Sequence, residues 1–223
     1  MRTAAPFWLP GTLAMIAVLT VPLRPALVFV LILGAFPGSA APEKVGRAMV
    51  TFYYTLDEST PRYAGEPSVD LRGPSGKVIA RTTRRFRNAL VVQGTGVLRD
   101  GRTVFYYGKV GGEHRFRLTS KSKYGIGSTG CELVPFRTIA VDPNFVPHRS
   151  KVYIPEMKGA RLPDGTIHDG MFVATDRGHF KGARVDLFVG IGYAGSKVFS
   201  RHGYGSRSRV TIYVDGKTRK CRP

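Results

Sequence analysis

Carboxylates are scarce in this 223-residue chain: 15 Asp and Glu stand against 34 Lys and Arg, for a formal net charge of +19. A chain this basic either carries a solvated surface that keeps it soluble or meets an anionic partner, such as cell-wall polymer, lipid head groups or nucleic acid. Cysteine is nearly absent, and the two present, Cys131 and Cys221, form no CxxC pair, which excludes a thiolate zinc site. The five histidines, at 114, 148, 168, 179 and 202, show neither HxxxH nor HExxH spacing, so no metal is expected. No cofactor is expected either. Repeats and low-complexity tracts are missing. So is any three-turn window with apolar residues at i, i+3, i+4 and i+7, which argues against long helices.

What is present divides into two materials. Residues 1–40 contain no acid, two arginines (Arg2 and Arg24) and the apolar stretches "TLAMIAVLTVPL" and "ALVFVLILGAF". The small residues of "PGSAAP" then suit a signal peptidase, so 1–40 read as a signal peptide cut near Ala40 or Ala41. Met15 is an alternative start that leaves an ordinary signal. The rival is a retained N-terminal anchor that associates with the membrane, and Pro22 and Pro25 speak against one straight spanning helix. No cysteine follows the apolar run to take a lipid. In an exported chain two cysteines permit one disulfide, here from the middle of the domain to the tail, or two free thiols.

The remainder reads as strand, turn, strand. Residues 48–56, 89–98, 103–110, 138–142, 150–156, 170–176, 183–191 and 208–216 are β-branched, aromatic or alternating, and the gaps carry Asp-Gly turns and prolines. Residues 90–110 form a hairpin about Asp100-Gly101. A short helix fits 192–200, and the polar, turn-rich 61–85 could cover a barrel mouth. Many short strands with close turns point to a closed barrel or a sandwich. The organisation is a leader (1–40), an N-terminal strand with a turn-rich segment (41–89), a β core (90–216) and a basic tail (217–223). Alternation puts Asp176 on one face with Phe172 and Ala174, Asp186 with Phe188, and Asp142 with Ala140. Each carboxylate ends or interrupts an apolar strand beside a turn, where a barrel rim can display a polar group.

Three segments, "YGIGSTGCELVPFRTIAVDPNFVPHRSKVYIP", "HDGMFVATDRGHFKGARVDLFVG" and "HGYGSRSRVTIYV", resemble the three-aspartate (3D) domain, whose aspartates fall on Asp142, Asp176 and Asp186. Upstream, "VVQGTGVLRDGR" resembles a segment of the membrane-bound lytic transglycosylase A family, which carries such a domain. The resemblance spans about residues 90–214. It implies an all-β fold, a six-stranded double-psi β-barrel with extra strands and loops. It also implies cleavage of peptidoglycan glycan strands between N-acetylmuramic acid and N-acetylglucosamine with 1,6-anhydro ring closure.

Because the nucleophile is the substrate's own 6-hydroxyl, one carboxyl group can serve as acid and then as base, unlike an ordinary glycosidase. Asp176 falls on that acid/base, with Asp186 and Asp142 tuning or orienting it. Arg177, Lys181 and His179 are candidates for binding substrate. Gln93, expected in the barrel wall near the cleft, either binds substrate or satisfies backbone. Two local departures stand out: the turn after Asp176 is short and bulky (Gly178–Gly182), and His148-Arg149 replace a usual glycine. A second domain of the kind that forms the transglycosylase groove is not expected in a chain of this length. The opposing reading is a non-catalytic glycan-binding module of expansin-like type. Specific nucleic-acid binding lacks an aromatic-basic motif.

Overall fold

The computed structural model describes residues 41–120 and 122–223, so the leader expected over 1–40 lies outside the described residues. In chain order the strands and helices are β1 (Glu43–Asp57), β2 (Val69–Arg72), β3 (Val78–Thr82), α1 (Arg84–Gln93), β4 (Thr95–Val97), β5 (Thr103–Val110), β6 (Glu113–Thr119), β7 (Thr138–Val141), β8 (Ser150–Tyr153), β9 (Met171–Arg177), β10 (Arg184–Ile191), α2 (Ser196–Arg201) and β11 (Arg209–Lys217). No helix among the described residues is long and apolar enough to cross a membrane.

Six strands close on themselves in the order β1-β10-β7-β9-β8-β11 and back to β1. The β1/β10 and β7/β9 pairs are parallel and the other four antiparallel. This mixed six-stranded barrel, with extra strands, is the arrangement expected of a double-psi barrel. Alternation fills its interior: Ala48 and Val50, Ile139 and Val141, Phe172 and Ala174, Val185 and Leu187, and Val210 and Ile212 are all buried in one cluster, plugged by Phe199 of α2. The short helix expected over 192–200 is present as a 3-10 turn, Tyr193–Gly195, running into α2.

β1 is 15 residues long, about 50 Å at the rise of an extended strand, and it leaves the barrel to found a second lobe. There β4 joins β1 in parallel, and β5 and β6 follow antiparallel. Leu56, Leu71, Phe86, Leu90, Val104 and Phe116 form a separate core. The turn-rich 61–85 contributes β2 and β3 to this lobe, with Leu71 in its core, rather than a cover for the barrel mouth.

The strand expected over 89–98 is corrected. Its first half is the end of α1, and only Thr95–Val97 is extended. Thr83 caps the helix by accepting from the Phe86 N–H (3.2 Å), and Gly94 stops it at φ 85. Val91 and Val92 suggested a strand, but Phe86 and Leu90, one helical turn apart, are the buried pair, while Val92 is 71% exposed. Gly96 lets the helix close on β4: a Cβ there would lie 2.8 Å from both the Leu90 and Phe86 side chains. The expected hairpin survives as β4-β5, turning at Gly101 with φ 83.

Candidate active site

Register places two of the aspartates together. Across four adjacent strands, Thr51 pairs with Asp186, Asp186 with Ala140, and Ala140 with Asp176. Register partners project on the same face, so Asp176 and Asp186 stand about 10 Å apart at Cα, two strand spacings. Ala140 between them adds only a methyl group.

The face is not the one simple alternation gives. The β7/β9 register shifts between Ala174 and Asp176, a bulge at Thr175 that turns Asp176 away from the interior occupied by Phe172 and Ala174. Neighbouring loops hold that bulge. The Arg149 N–H donates to the Ala174 carbonyl (2.8 Å), and both the N–H and hydroxyl of Thr129 donate to the Thr175 carbonyl (3.3 and 2.7 Å).

Asp176 itself is fixed through Oδ1, which accepts from the Ser128 N–H (2.9 Å) and from the Arg177 N–H (2.8 Å). Ser128 belongs to a tight turn in which Gly130 N–H donates to Gly127 O (2.9 Å) and Gly127 N–H to Cys131 O (2.8 Å). Gly127 is required by contact: a Cβ would sit 2.7 Å from the Thr175 carbonyl oxygen and 3.3 Å from the Asp176 Cβ. Cys131 forms a disulfide with Cys221 at a Cα separation of 5.4 Å, so the tail is stapled beneath this turn. Arg149 completes the junction. It occupies the left-handed region at φ 65, where glycine is at ease, and its guanidinium donates to the Thr129 carbonyl (2.9 Å) and the Arg219 carbonyl (3.1 Å).

Asp186 is mostly buried and paired with Arg184 (3.1 Å), whose Nε also donates to the Thr51 hydroxyl (2.9 Å) and whose guanidinium lies 4.5 Å from the Phe180 ring centroid. Burial raises the Asp186 pKa, with Arg184 opposing and the Asp176 charge adding to the rise. Tyr53 lies within reach of the charge of both carboxylates. Its hydroxyl is enclosed and has no partner at ordinary hydrogen-bond geometry. Burial first, then the approach of Asp176, then the charge of Asp186 push its pKa well up. Phe188 and Tyr124 pack behind this group: the Tyr53 and Phe188 centroids are 5.1 Å apart, and Tyr124 and Phe188 5.9 Å.

Asp142 is placed differently. Its Oδ2 accepts from the Gly182 N–H (2.8 Å) and its Oδ1 from the Asn144 N–H (3.0 Å), and these bonds hold its pKa below the usual range. It pins the short 178–182 turn. Arg177, His179 and Lys181 are exposed on that segment, and the charges of Arg177 and Lys181 act on Asp142.

Gln93 is not in the barrel wall, as expected from a strand there. It ends α1 in the second lobe, and its Oε1 accepts a long bond from the Tyr54 N–H (3.4 Å). Tyr53, Ser128 and Arg184 were not singled out by sequence, and Arg149 was noted only as a residue standing where a glycine is usual. Tyr53 reads as core aromatic, and Ser128 acts through its backbone. His168, buried, accepts from the Gly170 N–H at Nδ1 (2.8 Å) and donates from Nε2 to the Phe136 carbonyl (2.6 Å), a structural role. Among the described residues no group of three His, Cys, Asp or Glu could hold a metal.

A closed, mixed six-stranded barrel with carboxylates in register on its wall defines a class of small β-barrel. Residues 137–214 match the profile of the family described as the 3D domain, and the chain carries a 3D domain. No curated protein sequence matches the chain. Among solved structures it is similar to MltA of E. coli with bound chitohexaose, at 16% identity over 78% of this chain and 72% of that one, with a TM-score of 0.54. The lytic transglycosylase LtgG of Burkholderia pseudomallei is 19% identical over 75% and 71% of the two chains, with a TM-score of 0.40. The fold is therefore that of the MltA catalytic domain, at a distance.

Proposed function

We propose that this protein is an exported, lytic transglycosylase-like enzyme acting on peptidoglycan glycan strands, with Asp176 as the single acid/base. The observation that supports this reading best is the register row Asp186–Ala140–Asp176, which sets one half-buried carboxylate, fixed through only one oxygen, beside a second that is mostly buried. MltA was crystallised with a bound chitin hexasaccharide, which favours a glycan as ligand here. The Cys131–Cys221 disulfide suits an oxidising compartment and hence export.

In this reading Asp176 protonates the glycosidic oxygen as the bond to the anomeric carbon breaks. The resulting carboxylate then removes the proton of the substrate's 6-hydroxyl as that oxygen closes on the anomeric carbon. Asp186, held by Arg184, stands in register two strands from it and orients that stretch of wall. Arg177, His179 and Lys181, displayed on the turn that Asp142 pins, bind the carboxylates of the substrate.

The test incubates purified sacculi with the full chain and analyses soluble products by mass spectrometry. Release of 1,6-anhydro muropeptides by the native chain and none by Asp176→Asn is the expected outcome. Sacculus binding without release by the native chain would instead make it a glycan-binding module.

A further inference from the structure

Two cavities lie away from the aspartate row, and neither is lined by a single Asp or Glu. The larger, about 730 Å³, opens between the 159–163 loop and α2, which follows the far end of β10 from Asp186. Arg161, Lys197, Arg201 and His202 line it over an apolar floor of Leu162 and Val198. The smaller, about 300 Å³, lies between α1 and β1 and is lined by Arg62, Arg85, Asn88, Gln93 and Tyr54, among others. The two are joined. Tyr54 of the smaller cavity meets Tyr193 edge-on, with centroids 5.7 Å apart, and Tyr193 directly precedes Ala194 and Gly195 of the larger one. Tyr193 is 54% exposed.

Among the described residues none of Arg62, Arg85, Arg161, Lys197 and Arg201 has a carboxylate partner. Lys197 and Arg201 also stand four positions apart on α2, a like-charge spacing that disfavours the helix until an anion relieves it. An exposed ring between two carboxylate-free basic cavities, with the Asn88 and Gln93 amides in one of them, presents what a charged sugar chain needs. It offers cations for acid groups, a platform for a ring face and amides for hydroxyls. The smaller cavity is at the lower end of the range that holds a small-molecule group.

We infer that Arg62, Arg85, Tyr193, Lys197 and Arg201 line a binding track for a carboxylate-bearing glycan, separate from the Asp176 site. A glycan is favoured over single-stranded nucleic acid because the disulfide points to an oxidising compartment. The glycan class rests on the function proposed above; the location of the track does not. If a glycan strand occupies both, Gln93 binds it at the track and not at the acid/base.

The test uses the full chain with fluorescence-detected binding at fixed salt and three probes: hyaluronan octasaccharide, neutral chitohexaose and octathymidylate. The hyaluronan probe is expected to bind about tenfold tighter than chitohexaose. Lys197→Glu and Tyr193→Ala should each weaken it about fivefold with the fold retained by circular dichroism, whereas Lys109→Glu on the second lobe should leave affinity within about twofold. Equal losses from Lys197→Glu and Lys109→Glu would overturn the track in favour of diffuse charge attraction. Tighter octathymidylate binding that Tyr193→Ala abolishes would overturn the glycan assignment. Asp176→Asn should bind the hyaluronan probe as the native chain does, so the track can fail while sacculus cleavage stands, and cleavage can fail while the track stands.

Discussion

Reducing the Cys131–Cys221 bridge tests how the tail contributes to the barrel. The cross-link spans a sequence separation of 90, and closing such a loop in the unfolded chain removes about 4.6 kcal/mol of conformational freedom at 25 °C. A domain of about 180 residues unfolds with an entropy near 0.4 kcal/mol/K, so loss of the bridge should lower the melting temperature by about 12 °C. Reduced native chain is a better comparison than a serine variant, because Cys131 is fully buried and a buried hydroxyl would add its own cost. Calorimetry with and without reductant, with thiol titration to prove reduction, gives the shift. Hydrogen exchange should report faster exchange at the Ser128 and Thr129 amides, whose turn the bridge anchors. A melting shift below about 3 °C on full reduction would refute the loop-entropy argument.

Other outcomes follow from the same geometry. Gly127→Ala should destabilise by about 1–3 kcal/mol in chemical denaturation, because its Cβ meets a backbone oxygen that cannot move without disturbing the bulge. The raised pKa of Asp186 means the folded state holds its proton more tightly than the unfolded one, so this group costs stability as pH rises through the unfolded carboxylate range. Asp186→Asn should therefore raise the melting temperature at pH 7 and lose that gain below about pH 4. His168 shifts the opposite way for its class: burial lowers its pKa, so its contribution is complete above about pH 6.5 and is lost as pH falls toward the folded value. Melting scans from pH 8 to 5 should show that decline, since a proton on Nδ1 would face the Gly170 N–H it now accepts from.

The barrel was legible in the sequence because alternation and turns are local signals. The barrel strands β1, β7, β8, β9, β10 and β11 fall on β-branched and aromatic runs, most of them bounded by Asp-Gly, Pro or Gly punctuation. α1 was not legible. Val91 and Val92 outweighed the single buried turn of Phe86 and Leu90, a pattern too short to stand out from a strand. Of the candidate site, the segments resembling the 3D domain gave the three aspartates but not their geometry. Alternation assigned Asp176 to the face of Phe172 and Ala174, and the bulge at Thr175 parted it from them.

By itself, then, the sequence determined the β-rich fold class and the excess of positive charge, which local pattern and composition carry, and its resemblance to the 3D domain told which carboxylates to examine. Only the tertiary structure decided that Asp176 and Asp186 share a wall while Asp142 serves a loop. That decision rests on strand register, on Arg149 and Thr129 holding two β9 carbonyls, and on a disulfide to a residue 90 positions away. None of these contacts exists until the chain closes, so no local stretch could encode them visibly.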